Sequence, residues 1–519
     1  MIDDLREYNL DNIQCDICII GAGAAGIAIA NEFNNSKFNT VILESGTLDY
    51  DSKIQELYDG EFTYSGFGFK KNSPDVLTGD RLRYFGGTTG HWGGMVAPFD
   101  DIDFENRPWV PNSGWPFNRN HLMPYYDRAS TLLGIPKYTF EPVPNHDPTR
   151  KPVTFGEETI NTKLFLSANK GTNFDFNGVR FGDVFFEDFK NSKNIRLFLN
   201  ATVSNFNVNQ QAKFVESLSV TRNSLNEKKV TIKAKVYVLS CGAIENARIL
   251  LLSNSICKEG LCNDNDLVGR YFQGHGYTAD LKTYIHMLIS DKKIFDLYGV
   301  HKYKNTNAFG FLTLSKKLQQ KNKLLNSYFS INMWSSAAKD DNITTSMKSQ
   351  YINILKKLGI NSPAEWYSVN SVMLHEQEPN FHNRVLLIDD RDWLNQRKVK
   401  VTSIISELQV RTMIDTFRVF GNILGEKFLG KVRIESDIKE LFTNHGAGLA
   451  GHHIGTTRMS KSKKTGVVDE NCKSHSIDNL YIGGSSVFPT GSATNPTFTI
   501  LAMSMRLADH LKNNVLKNV

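Results

Sequence analysis

The clearest hydrophobic pattern in the chain lies near its N-terminus. Asp16-Ile-Cys-Ile-Ile20 is short, apolar and rich in β-branched residues, which predicts a parallel strand buried on both faces. The glycine-rich turn Gly21-Ala-Gly23-Ala-Ala-Gly26 follows directly, and Ile27 to Phe33 continues as a helix of small and apolar residues. A second apolar run, Thr40-Val-Ile-Leu43, ends at Glu44. The pattern predicts a strand, a tight turn, a helix and a second parallel strand.

Each glycine of this turn has a separate physical use in a dinucleotide site. Gly21 permits the tight turn, Gly23 lets the backbone approach a pyrophosphate, and Gly26 lets the helix pack closely on the strand. The helix N-terminus offers free N–H groups to the phosphates. Glu44 can accept hydrogen bonds from a ribose 2′-OH and would repel a 2′-phosphate. The unit therefore predicts binding of FAD or NAD rather than NADP.

The same glycine spacing recurs at residues 446–451, but there we expect a loop. The preceding residues, 441–445, do not have the composition of a buried strand. A glycine pattern without its strand is weak evidence for a nucleotide site.

Further along the chain, short apolar runs predict strands at 195–199, 202–203, 213–221 and 230–240. The last run leads into Gly242 and a helix to Leu252, which predicts a return to the dinucleotide-binding unit. Residues 45–80 are polar and are expected to be partly helical and partly loop. Residues 276–440 contain longer alternating runs and an amphipathic helix over 405–424, which predict a separate sheet-based substrate lobe. Near the C-terminus, a strand at 479–482 precedes a loop in which Asn495 and Pro496 are predicted to be the N-cap and first residue of a helix.

Composition and charge argue against several classes of protein. The chain has 519 residues, with 60 basic against 54 acidic ones and a net charge of +6, which predicts no nucleic-acid partner. Six cysteines in this length argue against a disulfide scaffold, and Cys15 and Cys18 are expected to be small core residues. The first 14 residues carry no apolar leader, and no run reaches the ~18 apolar residues of a membrane span. We therefore expect a cytoplasmic protein without a transmembrane segment.

The residues best suited to catalysis lie near the C-terminus. Gly451-His452-His453 is followed by Asn495 in a glycine- and serine-rich loop. A histidine can accept an alcohol proton near neutral pH, and an asparagine amide can hold the same hydroxyl group. The helix after Asn495 would direct its positive end at the site. Adjacent histidines rarely ligate one metal ion, so no metal is expected.

Together these motifs resemble the glucose-methanol-choline (GMC) oxidoreductases, a family of FAD-dependent alcohol oxidases and dehydrogenases. The resemblance covers nearly the whole chain. It rests on the glycine turn with Glu44 and on four further motifs in the family's order: Gly86-Gly-Thr-Thr89, Leu267-Val-Gly-Arg270, Glu378-Pro-Asn-Phe-His-Asn-Arg384 and the His452/Asn495 segment. The C-terminal motif is most similar to the branch of pyranose 2-oxidase and bacterial sugar dehydrogenases. The resemblance implies an α/β plus β fold, in which a Rossmann-like FAD-binding domain is interleaved with a sheet-based substrate domain.

Residue roles follow from the resemblance. His452 matches the catalytic base and Asn495 its partner, while His453 is expected to pack beside the site. Val203 matches the strand end that holds the adenine side of FAD. His91 falls where pyranose 2-oxidase links FAD covalently, but Gly90 and the pair Gly93-Gly94 depart from that pattern and weigh against the link. The remaining expected cofactor-binding residues are Gly21, Gly23, Gly26, Glu44, Gly87, Thr88, Gly242, Gly484 and Thr497.

The resemblance also implies a division of the chain and a reaction. We expect the FAD-binding domain over residues 1–110, 191–275 and 441–519, a connecting segment over 111–190 and the substrate-binding domain over 276–440. The expected reaction is oxidation of a hydroxyl group on a sugar, amino sugar or polyol, with oxygen, a quinone or a separate redox protein as electron acceptor. The alternatives are a lyase similar to the hydroxynitrile lyases of the family and an oxidoreductase acting on a non-sugar alcohol.

Overall fold

A computed structural model describes most of the chain. The described residues are 1–8, 11–66, 69–139, 150, 155–156, 158–168, 178–224, 228–278, 284–290, 294–331, 342–363, 365–436 and 448–517.

The first of two large sheets contains the predicted glycine-turn unit. Its helix spans Ala24–Phe33, and its two strands pair in parallel. The described strands of this sheet, in spatial order, are Ile2–Asp4, Ile195–Leu199, Thr40–Leu43, Asn12–Ile20, Val230–Leu239, Val215–Thr221 and Thr202–Val208, with Leu480–Ile482 also beside Val230–Leu239. The strands predicted from the apolar runs are thus confirmed, and the first of them begins four residues earlier than expected because Asn12 to Cys15 continue the pairing with Thr231 to Ala234.

The second large sheet is antiparallel and carries a buried aromatic face. Its described strands, in order, are Gly448–Ile454, Gln273–Thr278, Met373–His375, Ser327–Phe329, Thr306–Leu314, Ile160–Ser167 and Met95–Val96, with His301–Tyr303 beside Thr306–Leu314. Phe165, Phe309, Phe311 and Tyr328 form one ring cluster in which Phe311 lies 4.6 Å from Phe165 and 4.7 Å from Tyr328 between ring centroids. Such contacts stabilise the sheet beyond the apolar area they bury.

The structure also contains two smaller sheets. One of them corrects the expectation that residues 45–80 form only helix and loop. Strands Gly60–Gly66 and Phe69–Asn72 form a hairpin, where only helix and loop were predicted. The hairpin extends the antiparallel pair Arg384–Arg391 and Arg397–Ile404 into a four-stranded sheet. The second strand tolerates polar residues because Lys70 to Asn72 are exposed to solvent. The other small sheet consists of Tyr367–Val369, Ile285–Ile289 and Gly430–Ile434.

The helices connect and flank the sheets. The amphipathic helix predicted over 405–424 is present as Glu407–Glu426, with a capping box between Ser406 and Gln409. The described α-helices are Ala24–Phe33, Ser52–Gln55, Asp75–Gly79, Asp101–Phe104, Met123–Leu133, Phe181–Lys190, Gly242–Leu252, Ile294–Tyr298, Lys316–Asn322, Asn342–Lys357, Glu407–Glu426 and Thr497–His510. Within the described ranges, no helix is long and apolar enough to cross a membrane.

Two local expectations near the C-terminus are wrong. Residues 446 and 447 lie outside the described ranges, but Gly448 to Gly451 belong to a strand rather than a loop, because this segment pairs with Gln273–Thr278. The final helix begins at Thr497, with Pro496 in the cap position and no side-chain cap. The side chain of Asn495 makes its hydrogen bonds elsewhere, as described below.

A buried polar network connects the loop before Asn495 with helix Asp101–Phe104 and with residues that flank strands of the second large sheet. Arg107 donates two hydrogen bonds to Glu376, one of them 2.7 Å long, and both side chains are almost fully buried. Asn326 donates to Asp103 at 2.9 Å, and Thr490 donates to the carbonyl oxygen of Asp103 at 2.7 Å. The loop that leads to Asn495 is therefore held in place, through Thr490, by this buried network.

We expect Arg107→Leu to lower the free energy of unfolding by about 3–5 kcal/mol, because it leaves the Glu376 carboxylate buried without its partner. Denaturant unfolding followed by fluorescence measures the change. The control is Lys316→Leu, which removes the exposed ion pair with Glu105 and should cost at most about 1 kcal/mol. Equal losses in the two variants would contradict the importance of the buried pair.

Candidate active site

A cavity of about 830 Å³ collects the residues singled out from the sequence. Both large sheets contribute to its wall. The predicted site residues that line it are Gly21, Gly23, Glu44, Gly87, Thr88, His91, Val203, Gly242, His452, Gly484, Asn495 and Thr497. Gly26 is the exception, because it lies one helical turn back, where the helix packs on the strand.

The three glycines of the first turn differ in their surroundings. Gly21 has a φ of +96°, and a side chain there would also approach the carbonyl oxygen of Ser240 to 2.9 Å. A Cβ atom at Gly26 would lie 1.9 Å from the carbonyl oxygen of Gly21, so the close packing of helix and strand requires glycine. A Cβ atom at Gly23 would meet nothing within 4 Å. Gly23 therefore leaves space at the cavity wall.

Three helices begin at this cavity: Ala24–Phe33, Gly242–Leu252 and Thr497–His510. None of them has a side-chain hydrogen bond at its N-cap. Free backbone N–H groups and the positive ends of the helix dipoles therefore face one space. This arrangement suits a ligand that carries phosphate groups.

Glu44 lies at one end of the cavity. Its carboxylate accepts hydrogen bonds from the backbone N–H groups of Ala22 and Gly46, each at 2.9 Å. Burial raises the pKa of Glu44 despite these donors. Two N–H donors leave further lone pairs on the carboxylate oxygens, so Glu44 can still accept from a ribose hydroxyl group.

A buried arginine cluster adjoins Glu44. Arg83 and Arg81 both bind Glu245, at 2.9 and 3.2 Å, and both guanidinium groups lie within about 4 Å of the Tyr58 ring centroid. Burial alone would raise the pKa of Glu245, but the guanidinium groups of Arg248, Arg83 and Arg81 lower it to about 2. Nε of Arg83 is buried and has no hydrogen-bond partner among the described residues. The cluster places a donor and positive charge at the cavity wall.

The glycine-rich loop around His91 forms another part of the wall. Gly87–Gly90 is one turn of 3-10 helix, and the His91 side chain is exposed at the cavity. A Cβ atom at Gly90 would lie 1.4 Å from the Tyr84 hydroxyl oxygen. Tyr84 thus explains why the sequence has glycine where the resembling pattern has threonine. A covalent link at His91 stays a prediction.

At the other end of the cavity, His452 contacts a histidine that the sequence analysis did not single out. Its Nδ1 atom lies 2.9 Å from Nδ1 of His275. His275 is fully buried, and its Nε2 atom lies 3.0 Å from the carbonyl oxygen of Gly491. Burial lowers the pKa of His452 well below its ordinary value. His452 is therefore neutral at physiological pH and can accept a proton.

Asn495 lines the same cavity as His452, and two hydrogen bonds hold its side chain. The Tyr328 hydroxyl group donates to Oδ1 of Asn495 at 2.9 Å, and Nδ2 of Asn495 donates to the carbonyl oxygen of Met95 at 3.0 Å. An amide nitrogen carries two hydrogens, so one N–H of Asn495 is left for a ligand in the cavity.

His453 points to the other side of its strand, as expected for neighbouring residues. Its Nε2 atom lies 3.8 Å from Oδ2 of Asp80, too far for a hydrogen bond, and its ring packs against Phe272. Burial lowers the pKa of His453 to about 3 and raises that of Asp80 to about 6.

The second sheet closes the catalytic end with apolar side chains. Phe311, Tyr328, Val372 and Leu374 line this part of the cavity, and Met95 lies opposite, next to the Asn495 amide. Among these lining residues the Tyr328 hydroxyl is the single polar side-chain group, and it is bound to Asn495.

The glycine turn and the His452/Asn495 pair, which carry the resemblance found in the sequence, line one cavity. Residues 379–504, which include His452 and Asn495, match the family model described as GMC oxidoreductase. The resemblance to the GMC oxidoreductases is therefore confirmed over this C-terminal part of the chain. The protein is an FAD-dependent oxidoreductase that acts on CH–OH donors.

Relatives of known activity are distant but match over their full length. The chain is 22% identical to the fructose dehydrogenase large subunit of Gluconobacter japonicus, over 97% of this chain and 99% of that protein. It is 21% identical to the 6'''-hydroxyparomomycin C oxidase of Streptomyces lividus, over 98% and 94%. The fold is similar to the crystal structure of formate oxidase, with a TM-score of 0.59, 16% identity and coverage of 98% and 99%.

The residues of this cavity fit FAD. The space at Gly23 and the uncapped helix N-termini suit the pyrophosphate, and Glu44 suits a ribose without a 2′-phosphate. Gly242 has a φ of +81°, and a Cβ atom there would meet nothing within 4 Å, so this second turn also leaves room for the ligand. The unpaired Nε of Arg83 offers one more donor.

Several residues of the site were missed by the sequence analysis. Arg81 and Arg83 stand just before the glycine loop, and Glu245 stands in the first turn of the second helix, but nothing in their spacing showed that they meet. His275 follows the Leu267–Arg270 motif by five residues, and its closeness to this recognised motif was the available signal. Tyr328 had no signal beyond its place in an apolar run.

We expect Gly23→Ala and Gly26→Ala to separate cofactor binding from folding. Gly23→Ala should keep the melting temperature of the apoprotein and lose FAD, because the methyl group fills the space left for phosphate. Gly26→Ala should lower the apoprotein melting temperature, because the methyl group overlaps the backbone of Gly21. Bound flavin absorbance and thermal unfolding give the two readouts. Full flavin occupancy in Gly23→Ala would contradict the assignment of this turn.

Proposed function

We propose that the protein oxidises a hydroxyl group to a carbonyl group on a sugar, amino sugar or polyol, with His452 as the base. The observation that supports this most directly is that His452 and Asn495 line the same cavity as Glu44 and the glycine turn. Bound FAD supplies the hydride acceptor, flavin N5.

The two catalytic residues divide the work on the alcohol oxygen. His452 accepts the hydroxyl proton while a hydride leaves the carbon, so one proton and one hydride, which carries the two electrons, depart and a carbonyl group forms. The free N–H of Asn495 donates to the oxygen and stabilises the negative charge that develops there. The low pKa of His452 keeps the base unprotonated in mildly acidic solution as well.

The substrate class is supported by the relatives, whose names specify a sugar and an aminoglycoside. A second candidate, a non-sugar alcohol, is favoured by the apolar wall of Phe311, Val372 and Leu374. A sugar buried against such a wall must find hydrogen-bond partners for each hydroxyl group, or lose about 1–3 kcal/mol for each one left unpaired. Oxygen, a quinone and a separate redox protein remain the proposed electron acceptors.

Anaerobic mixing distinguishes the candidates. Purified flavoprotein is mixed with aldoses, ketoses, polyols and aminoglycosides, and separately with benzyl-type and short alkyl alcohols, while the flavin absorbance is followed. We expect bleaching by a member of the first group, and air admitted afterwards identifies an oxidase by fast recolouring. Bleaching by apolar alcohols alone would favour the second candidate. An absorbance that no alcohol changes would favour a lyase, which cleaves a cyanohydrin without net reduction of FAD.

We expect His452→Gln to slow flavin reduction by about 10²–10⁴-fold, because the alcohol proton loses its acceptor. Stopped-flow measurement at saturating substrate gives the rate constant. His121→Gln, on an exposed turn outside the cavity, is the matched control and should behave like the wild type. A wild-type rate in His452→Gln, with FAD still bound, would refute its role as the base.

A further inference from the structure

His275 stands behind His452 and makes hydrogen bonds through both ring nitrogens. One bond joins the two Nδ1 atoms at 2.9 Å, and the other joins Nε2 of His275 to the carbonyl oxygen of Gly491 at 3.0 Å. Each bond needs one hydrogen, and a carbonyl oxygen can only accept. Nε2 of His275 must therefore carry a hydrogen.

The remaining protons follow from the charge of His275. Burial lowers its pKa to about 4, so the ring is neutral at neutral pH and its Nδ1 atom carries a lone pair. The bond between the rings then requires the hydrogen on Nδ1 of His452. In neutral His452 this leaves Nε2 without a hydrogen, and Nε2 is the nitrogen that remains for the cavity.

We propose that His275 is a positioning residue that fixes the tautomer of His452, so that its Nε2 atom is always ready to accept the alcohol proton. The proposal rests on the role of His452 as the base. In the opposite tautomer Nε2 would carry a hydrogen and could not act. The ordering of a catalytic imidazole by a partner at its other nitrogen is a general device in enzymes, and here a neutral histidine takes the place usually held by a carboxylate.

The same chain of bonds aligns the base with its partner. Gly491 and Asn495 belong to one loop, so the bond from His275 to Gly491 fixes His452 relative to the Asn495 amide. When His452 has taken the alcohol proton, its Nδ1–H still donates to His275. That bond becomes charge-assisted, which strengthens it and stabilises the protonated base.

The groups around His275 leave this arrangement undisturbed. His375 and Glu376 face it from strand Met373–His375 and the residue beyond, and His452 faces it from strand Gly448–Ile454. Burial lowers the pKa of His375 to about 4, so this ring is neutral too. The charge of Glu376 is paired with Arg107.

Two substitutions of His275 test the proposal kinetically. His275→Leu removes the acceptor, and we expect flavin reduction to slow by about 10–100-fold, a part of the general-base contribution. Because the protonated base loses a partner, the acidic limb of the pH profile should move to lower pH. In His275→Asn, Oδ1 can replace Nδ1 as the hydrogen-bond acceptor. The rate of flavin reduction should therefore recover at least partly, and the acidic limb of the pH profile should return toward its wild-type position. If His275 had only a structural role, its substitution would change the stability of the protein but would not move the acidic limb of the pH profile.

His375→Leu is the matched control, since it removes a neighbouring buried histidine that has no bond to His452. It should lower the melting temperature as His275→Leu does, but leave the pH profile unchanged. Unchanged pH profiles in both leucine variants, or equal rates in His275→Leu and His275→Asn, would overturn the proposal while leaving the base role of His452 intact. If the wild type itself is reduced by no alcohol, the proposed function fails instead.

The tautomer can also be observed without any substrate. In ¹⁵N-histidine-labelled holoenzyme, the His452 signals should show a protonated Nδ1 and an unprotonated Nε2 near neutral pH, with assignment by comparison with His452→Gln. His275→Leu should convert these signals to a mixture of tautomers. A wild-type spectrum with the hydrogen on Nε2 would refute the proposal directly.

Discussion

The parallel pairing of Asn12–Ile20 with Val230–Leu239 is the constraint on which the site depends. Neighbouring strands lie only about 4.8 Å apart, so the turns that follow them must share one small space. Gly21 and Ser240 meet there, and a side chain on Gly21 would overlap the Ser240 carbonyl group. Leu480–Ile482 pairs on the far side of Val230–Leu239 and brings the loop to Asn495 to the same edge. Three helix N-termini converge because the carboxyl ends of parallel strands lie at one edge of a sheet.

This convergence makes the local charge of the cavity independent of the net charge of the chain. The net charge of +6 is spread over 519 residues and carries little information. Uncapped helix N-termini and the Arg81, Arg83 and Arg248 guanidinium groups, opposed by Glu245 and Asp392, line the cavity that fits FAD. Buried ion networks of this kind contribute little net stability, because desolvation offsets the attraction. The effect of this network is to hold hydrogen-bond donors at fixed positions in the cavity wall.

Sequence patterns predicted the parts of the structure that depend on neighbours in the chain. The glycine turn, the helix Ala24–Phe33 and the strand Thr40–Leu43 each follow from a short window of residues, and the resemblance led to the proposed roles of His452 and Asn495. The hairpin Gly60–Gly66 with Phe69–Asn72 was missed because its polar strands depend on pairing with Arg397–Ile404. The strand at Gly448–Ile454 was missed because it depends on a distant partner. Asn495 was predicted to cap a helix, but Tyr328, from the other sheet, takes its side-chain oxygen.

Under the proposed function, the second sheet contributes both to substrate specificity and to the chemistry. It provides the wall of Phe311 and Leu374, the hydroxyl group of Tyr328 that orients Asn495, and His275 behind His452, the proposed base. Tyr328 belongs at once to the wall, to the Asn495 hydrogen bond and to the buried ring cluster around Phe165. A substitution of Tyr328 that alters substrate preference would therefore also alter the position of the Asn495 side chain. Within the family, divergence in substrate should be easiest where the wall has no such connection, as at Val372 and Leu374, because their side chains carry no hydrogen bond to the catalytic residues.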